Sequence, residues 1–204
     1  MTHPLRCNCG ALTGTVANER FANHSRCYCE DCQAFARFLD ADILDARGGC
    51  EAIQTLPKDV TFEKGLEHLA CVRLSETGLL RWYASCCMTA IGNTPATSKL
   101  PFVGLARACL ERSATSVDKS FGPVRFCMFT SGAQGQSKPE PFGRSGAALW
   151  FIRNRLRARF TGGFRINPFF DMATDQPISP PRVLSPAERE GLRKPVAADA
   201  EGRL

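Results

Sequence analysis

Cys27-x-Cys29-x-x-Cys32 places three thiols within six residues. As thiolates they can fill three corners of a zinc tetrahedron, leaving the fourth to water, a substrate thiol or another side chain. Cys7 and Cys9 precede this triplet, and the adjacent pair Cys86 and Cys87 follows it. These four suggest a second metal site. Neighbouring side chains on a strand point opposite ways, so only a turn would let Cys86 and Cys87 both bind; otherwise one is a spectator. Cys50, Cys71, Cys109 and Cys127 stand alone and read as small core residues. The total of 11 cysteines is odd, which excludes complete internal disulfide pairing. Clustered thiols of this kind fit a reducing cytoplasm and Zn2+ as cofactor.

Acid–base groups are scarce around the triplet. Only three histidines occur. His24 is the nearest in sequence, and His68 is expected on a strand; both read more simply as structural. Glu30 and Asp31 lie inside the triplet and either tune it or cap a following helix. Arg26, Arg37 and Arg81 are candidate cations for an anionic ligand, and each reads more simply as a solvated surface residue.

The elements that must hold these residues are mostly short and extended. LRCNCGALTGTVANERF, 5–21, reads as a turn carrying Cys7 and Cys9 and then a strand. Residues 23–30 read as irregular, with a helix from Asp31 whose apolar face is Ala34, Phe35, Phe38 and Leu39. VRLSETGLLRWY reads as a hairpin whose second strand delivers Cys86 and Cys87. Residues 90–104 are rich in turn formers, and ARACLER fits a short helix. Residues 146–160 give the strongest helical period, with Leu149, Ile152, Leu156 and Phe160 as the expected core face. The tail from Pro177 reads as extended, with a turn at SPAERE.

Charge is uneven. Residues 81–170 carry 13 basic and 3 acidic side chains, whereas residues 1–80 carry 8 basic and 11 acidic. The basic block lacks the interleaved aromatics of a nucleic-acid reader, so no nucleic-acid partner is expected. MTHPLRCNCG has no basic region followed by an apolar run, and no stretch approaches the length of a membrane span. No membrane association is expected.

Three motifs together, Cys7-Asn8-Cys9-Gly10, Cys27-Tyr28-Cys29-Glu30-Asp31-Cys32 and Tyr83-Ala84-Ser85-Cys86-Cys87-Met88-Thr89, resemble the glutathione-dependent formaldehyde-activating family over about residues 5–95. That family shares the Mss4-like fold. The resemblance implies a mainly β fold of antiparallel sheets around cysteine zinc sites, with a few helices in the C-terminal half. It implies a structural zinc on the outer cysteines Cys7, Cys9 and Cys87. It also implies a more labile, catalytic zinc on Cys27, Cys29 and Cys32. Two positions depart from the pattern. Ala84 stands where the family has a ligand, so either Cys86 substitutes for it or the structural site is altered, and Met88 stands where the family has glycine.

The domain expectation is a zinc-binding core over 1–105 and a C-terminal extension over 106–204 packed on it. The functional expectation is a zinc-dependent carbon–sulfur lyase acting on a small thiol–aldehyde adduct, with glutathione or another small thiol as partner. The alternative is a non-enzymatic zinc-stabilised binding or chaperone-like module. Its partner surface would be residues 146–165, which hold five arginines and no acidic side chain.

Overall fold

A computed structural model describes residues 2–111 and 115–193. Three short strands, β1 (Thr2–Arg6), β2 (Thr13–Ala17) and β5 (Val60–Lys64), form a small antiparallel sheet in the order β1-β2-β5. The large sheet has eight strands. Its members are β3 (Asn23–Cys27), β4 (Cys50–Thr55), β6 (Leu69–Arg73), β7 (Leu80–Ala84), β8 (Thr89–Thr94), β9 (Val103–Ala106), β10 (Phe126–Met128) and β13 (Arg182–Val183). Their order is β10-β3-β4-β9-β8-β7-β6-β13. All its pairings are antiparallel except the two edges, where β10 runs parallel to β3 and β13 parallel to β6. Two further strands, β11 (Phe170–Asp171) and β12 (Gln176–Pro177), make a small ribbon. The helices are α1 (Glu30–Phe38), α2 (Val117–Phe121), α3 (Arg144–Phe160) and α4 (Pro186–Arg193). The fold is therefore mixed α/β, with a large, mostly antiparallel sheet and helices concentrated toward the C-terminus. The mainly β expectation holds only in that coarser form.

The large sheet is covered on both faces, and its central strands divide residue by residue between two apolar layers. Cys71, Trp82, Ile91 and Leu105 join Leu5, Leu12 and Val16 of the small sheet, with Phe169 added from the C-terminal half. Val72, Ala90 and Ala106, the next or preceding residues on the same strands, join Ala34, Phe35 and Leu39 of α1 and Leu184. Alternation along a strand sends successive side chains to opposite faces. One departure from expectation lies in a strand whose sequence is not an apolar run and whose burial comes from packing on both faces. AIGNT was assigned to turns, but Thr89–Thr94 is a buried strand.

Other departures are local. Residues 23–27 form β3 rather than an irregular loop, and His68 sits in a 3-10 turn, Leu66–His68, rather than on a strand. ARACLER supplies one 3-10 turn, Arg107–Cys109, within its described part. SPAERE opens the helix α4, which lies against α1 with Arg189 3.3 Å from Asp31 and Arg193 3.5 Å from Glu30. The tail beyond Arg193 lies outside the described residues.

Helix α3 forms where its period places it, but with the opposite face inward. Leu149, Ile152, Leu156 and Phe160 are 53–82% exposed. Ala147, Asn154 and Ala158 are buried instead. Polar contacts decide the orientation. Arg157 reaches the buried Asp59 at 2.8 Å, and the Trp150 indole N–H donates to the Phe21 carbonyl at 2.6 Å. A buried carboxylate left without its cation costs several kcal/mol, more than the gain from covering part of one leucine.

Candidate metal centres

The outer centre is built from two turns. The β1–β2 turn carries Cys7 and Cys9, and Gly10 takes a left-handed conformation (φ 80°) that a side chain would resist. The β7–β8 turn carries Cys86 and Cys87. The four Sγ atoms all lie within 4.8 Å of one another. Cys7 is 3.6 Å from Cys9 and 3.8 Å from Cys86, Cys9 is 3.4 Å from Cys86, and Cys86 is 3.8 Å from Cys87. A tetrahedral thiolate centre with bonds of about 2.3 Å has its sulfurs about 3.8 Å apart, so the spacing fits such a centre. The turn also removes the objection to adjacent ligands, because Cys86 and Cys87 no longer alternate across a strand. Ala84 is buried at the end of β7.

Hydrogen bonds favour thiolate at Cys87, whereas burial and the thiols of Cys9, Cys7 and Cys87 push Cys86 up. The Leu12 amide donates to Cys7 Sγ at 3.3 Å. Burial pushes the Cys87 thiol up, but hydrogen bonds from Thr89 and from the Cys9 amide outweigh it and bring the group down to about 6. Met88 follows with φ 53°. The left-handed backbone at this position is a physical reason for glycine there.

The inner centre lies at the head of α1. Cys27 ends β3, and Cys29 is the N-cap of α1, its Sγ accepting from the Cys32 amide at 3.4 Å. The three sulfurs of Cys27, Cys29 and Cys32 lie within 4.8 Å of one another. The helix N-terminus presents free N–H groups and a favourable field for negative sulfur. Hydrogen bonds from Cys27 and Cys29 hold Cys32 well below the usual thiol range, and the Arg81 guanidinium adds to this. Its hydrogen-bond role toward Cys29 and Cys32 pushes Cys27 up. Arg81 is buried at 4% exposure, 3.8 Å from Cys32 Sγ, with its guanidinium over the Phe35 ring.

A cleft of about 150 Å3 opens beside the triplet, lined among others by Cys27, Cys29, Cys32, Cys50, Arg81 and Phe102. Of the three candidate arginines, only Arg81 faces this cleft. Arg37 donates to the Leu192 carbonyl at 2.5 Å. Arg26 pairs with Glu51 and lies 3.5 Å from Asp45.

Glu51 heads a network that the sequence did not announce. It accepts from Arg26, from Arg107 at 2.9 Å, and from the fully buried His24 at 3.0 Å. The other ring nitrogen of His24 is 2.8 Å from the Gly122 carbonyl. The His24 contact and the two guanidiniums, working against burial, hold the Glu51 carboxyl far below its usual range. The carboxylate that lines the cleft is thus held in its ionised form, and His24 is engaged on both nitrogens. Cys50 is the other residue missed: it was read as core, but it lines the cleft.

No helix among the described residues is long and apolar enough to cross a membrane. No curated protein matches the chain. The arrangement, a mixed α/β domain with two cysteine clusters able to chelate a metal, is consistent with a distant Mss4-like zinc-binding superfamily rather than with the specific formaldehyde-activating family. The model of a family of unknown function, DUF6151, matches residues 1–147 and so includes every cysteine of both clusters; the chain belongs to that family.

Proposed function

We propose that this protein is a zinc-stabilised binding module. The observation that carries the reading is the convergence of Cys7 and Cys9 with Cys86 and Cys87, four thiols from two turns 79 residues apart in sequence. Such a set closes its own coordination sphere and supplies folding energy rather than an open reaction centre. The residues expected to hold zinc are Cys7, Cys9, Cys86 and Cys87 in the outer centre and Cys27, Cys29 and Cys32 in the inner one. Residues 1–105 would form the core around them, buttressed by the extension 106–204.

The partner contact in this reading is the outer face of α3. Its stripe of Leu149, Ile152, Leu156 and Phe160 is exposed. Arg153, Arg155 and Arg159 on that helix make no ion pair among the described residues. An acidic protein segment with an apolar face complements both features. Titration of the zinc-loaded full chain with an acidic amphipathic peptide, and with its lysine-for-glutamate counterpart, tests this. A preference for the acidic peptide that Ile152→Ser abolishes supports it; equal or absent binding refutes it.

A second reading is favoured by the cleft beside the triplet. There the inner centre would act on a small thiol–aldehyde adduct, as the resemblance to the formaldehyde-activating family suggests. Zinc bound by three thiolates supplies a Lewis acid that lowers the pKa of an incoming thiol. Arg81 would hold a carboxylate of that thiol, and Phe102 and Phe35 would exclude water. This reading ranks second because Glu51 is held ionised and His24 is fully engaged, so neither is free to shuttle a proton.

Native mass spectrometry of the purified chain, before and after mild chelation, decides the metal claim. Two zincs, one lost with the fold intact, support both centres. A chain that folds with no zinc refutes the module outright. Turnover of S-hydroxymethyl glutathione by the zinc-loaded chain would promote the second reading over the first.

A further inference from the structure

Cys50 is the one isolated cysteine with access to a metal centre. Cys71, Cys109 and Cys127 are buried, whereas Cys50 is half-buried and lines the cleft with the triplet. Its position follows from strand register. Cys27 closes β3, Cys50 opens β4, and the two are direct partners across the antiparallel pair. Facing residues in such a pair project to the same side, with Cβ atoms about 4.5–5.5 Å apart. On β4, Ile53 points into the layer beneath the sheet, so alternation sends Cys50 and Ala52 to the face that carries the triplet and Arg81.

The thiol is also poorly engaged. Its hydrogen-bond contact is a long 3.9 Å approach to the Glu51 carbonyl. It lines the same cleft as Cys29, Cys32 and Arg81. Its Sγ is not part of the 4.8 Å cluster of the other three. Thiolates on one zinc stand about 3.8 Å apart, a span that facing Cβ atoms can close by side-chain rotation without a backbone shift.

We propose that Cys50 is the fourth thiol of the inner centre, closing it when no external ligand holds the remaining position and giving way to a small thiol that does. This rests on the inner centre holding a metal, the reading given above. It adds a reason for the cleft: the site alternates between a sealed four-thiolate state and an open state accessible to a thiol ligand.

The test compares wild type with Cys50→Ser and Cys50→Ala, each loaded with two equivalents of zinc or cobalt(II), with Cys29→Ser as control. Chelator competition should show the inner equivalent of both Cys50 variants released about 10-fold more readily or better, with the outer equivalent unchanged. The cobalt–thiolate charge-transfer band should weaken by the share of one thiolate. Glutathione should bind the Cys50 variants more tightly than wild type, because its competitor is gone. An inner equivalent of unchanged affinity and spectrum in both variants overturns the role of Cys50 while leaving the inner centre standing. A wild-type chain that takes up only the outer equivalent overturns the inner centre itself, and the proposal with it. Circular dichroism of both variants separates these results from misfolding.

Discussion

The spacing of the cysteines announced the two clusters, but not their neighbours. Cys27, Cys29 and Cys32 were legible because three thiols in six residues have few other uses. Arg81 was legible only as one cation among three, because nothing in the sequence says that a strand residue will lie beneath the head of α1. Three thiolates and a divalent cation leave one negative charge, which the buried Arg81 offsets. Arg81→Met is therefore expected to weaken zinc at the inner centre by about tenfold, equivalent to about 1.4 kcal/mol. Competition with a chromogenic chelator measures it, and an unchanged affinity would remove Arg81 from the account. Met88 offers a second test at this scale. Its left-handed backbone costs about 1 kcal/mol for a residue with a side chain, partly offset in the unfolded chain by the entropy glycine would add. Met88→Gly should raise stability by a net of about 0.5 kcal/mol in thermal melts of the zinc-loaded chain. A clear loss instead would mean that the half-exposed thioether packs usefully.

At the scale of elements, the sequence located α3 well and oriented it wrongly. A period of 3.6 identifies a stripe but does not say which way it faces. The decision lay in a single buried carboxylate. Asp59 is 1% exposed at its side chain and is reached by Arg157 at 2.8 Å and by Asn18 at 2.9 Å. Arg157→Met should cost about 2–3 kcal/mol, since it strands that charge while leaving only the weaker neutral contacts from Asn18 and Thr55. Leu156→Ser, on the outward stripe, should stay within about 0.5 kcal/mol of wild type. Urea unfolding of the two variants distinguishes the orientations, because a core-facing stripe would reverse their order. β8 shows the complementary problem. Its sequence, TAIGNT, carries threonines, glycine and asparagine rather than an apolar run, and burial on both faces, which is a tertiary fact, decided it.

At the scale of the molecule, the edges of the large sheet were the least legible part. β10 and β13 are three and two residues long, too short for any period to mark them, yet they bring the C-terminal half onto both ends of the sheet. The two metal centres lie differently in this assembly. The outer cluster joins the turn of the small sheet to the β7–β8 turn of the large one, so a metal held there would close a long loop and clamp two layers that otherwise meet through apolar contact. The inner one lies within a single local unit, the end of β3 and the first turn of α1, which the sheet and α4 already hold. Losing a ligand should therefore have unequal consequences. Cys9→Ser and Cys29→Ser should each reduce zinc from two equivalents to one. Cys9→Ser should also lower the melting temperature by roughly 10 °C or more, since several kcal/mol of metal-linked folding energy are lost at a few degrees each. Cys29→Ser should shift it by no more than about 2–4 °C, because serine keeps the N-cap of α1 and the sheet and α4 already hold that unit. Mass spectrometry and calorimetry on the same samples read both quantities, and equal melting temperatures for the two variants would mean that the outer cluster does not clamp the fold.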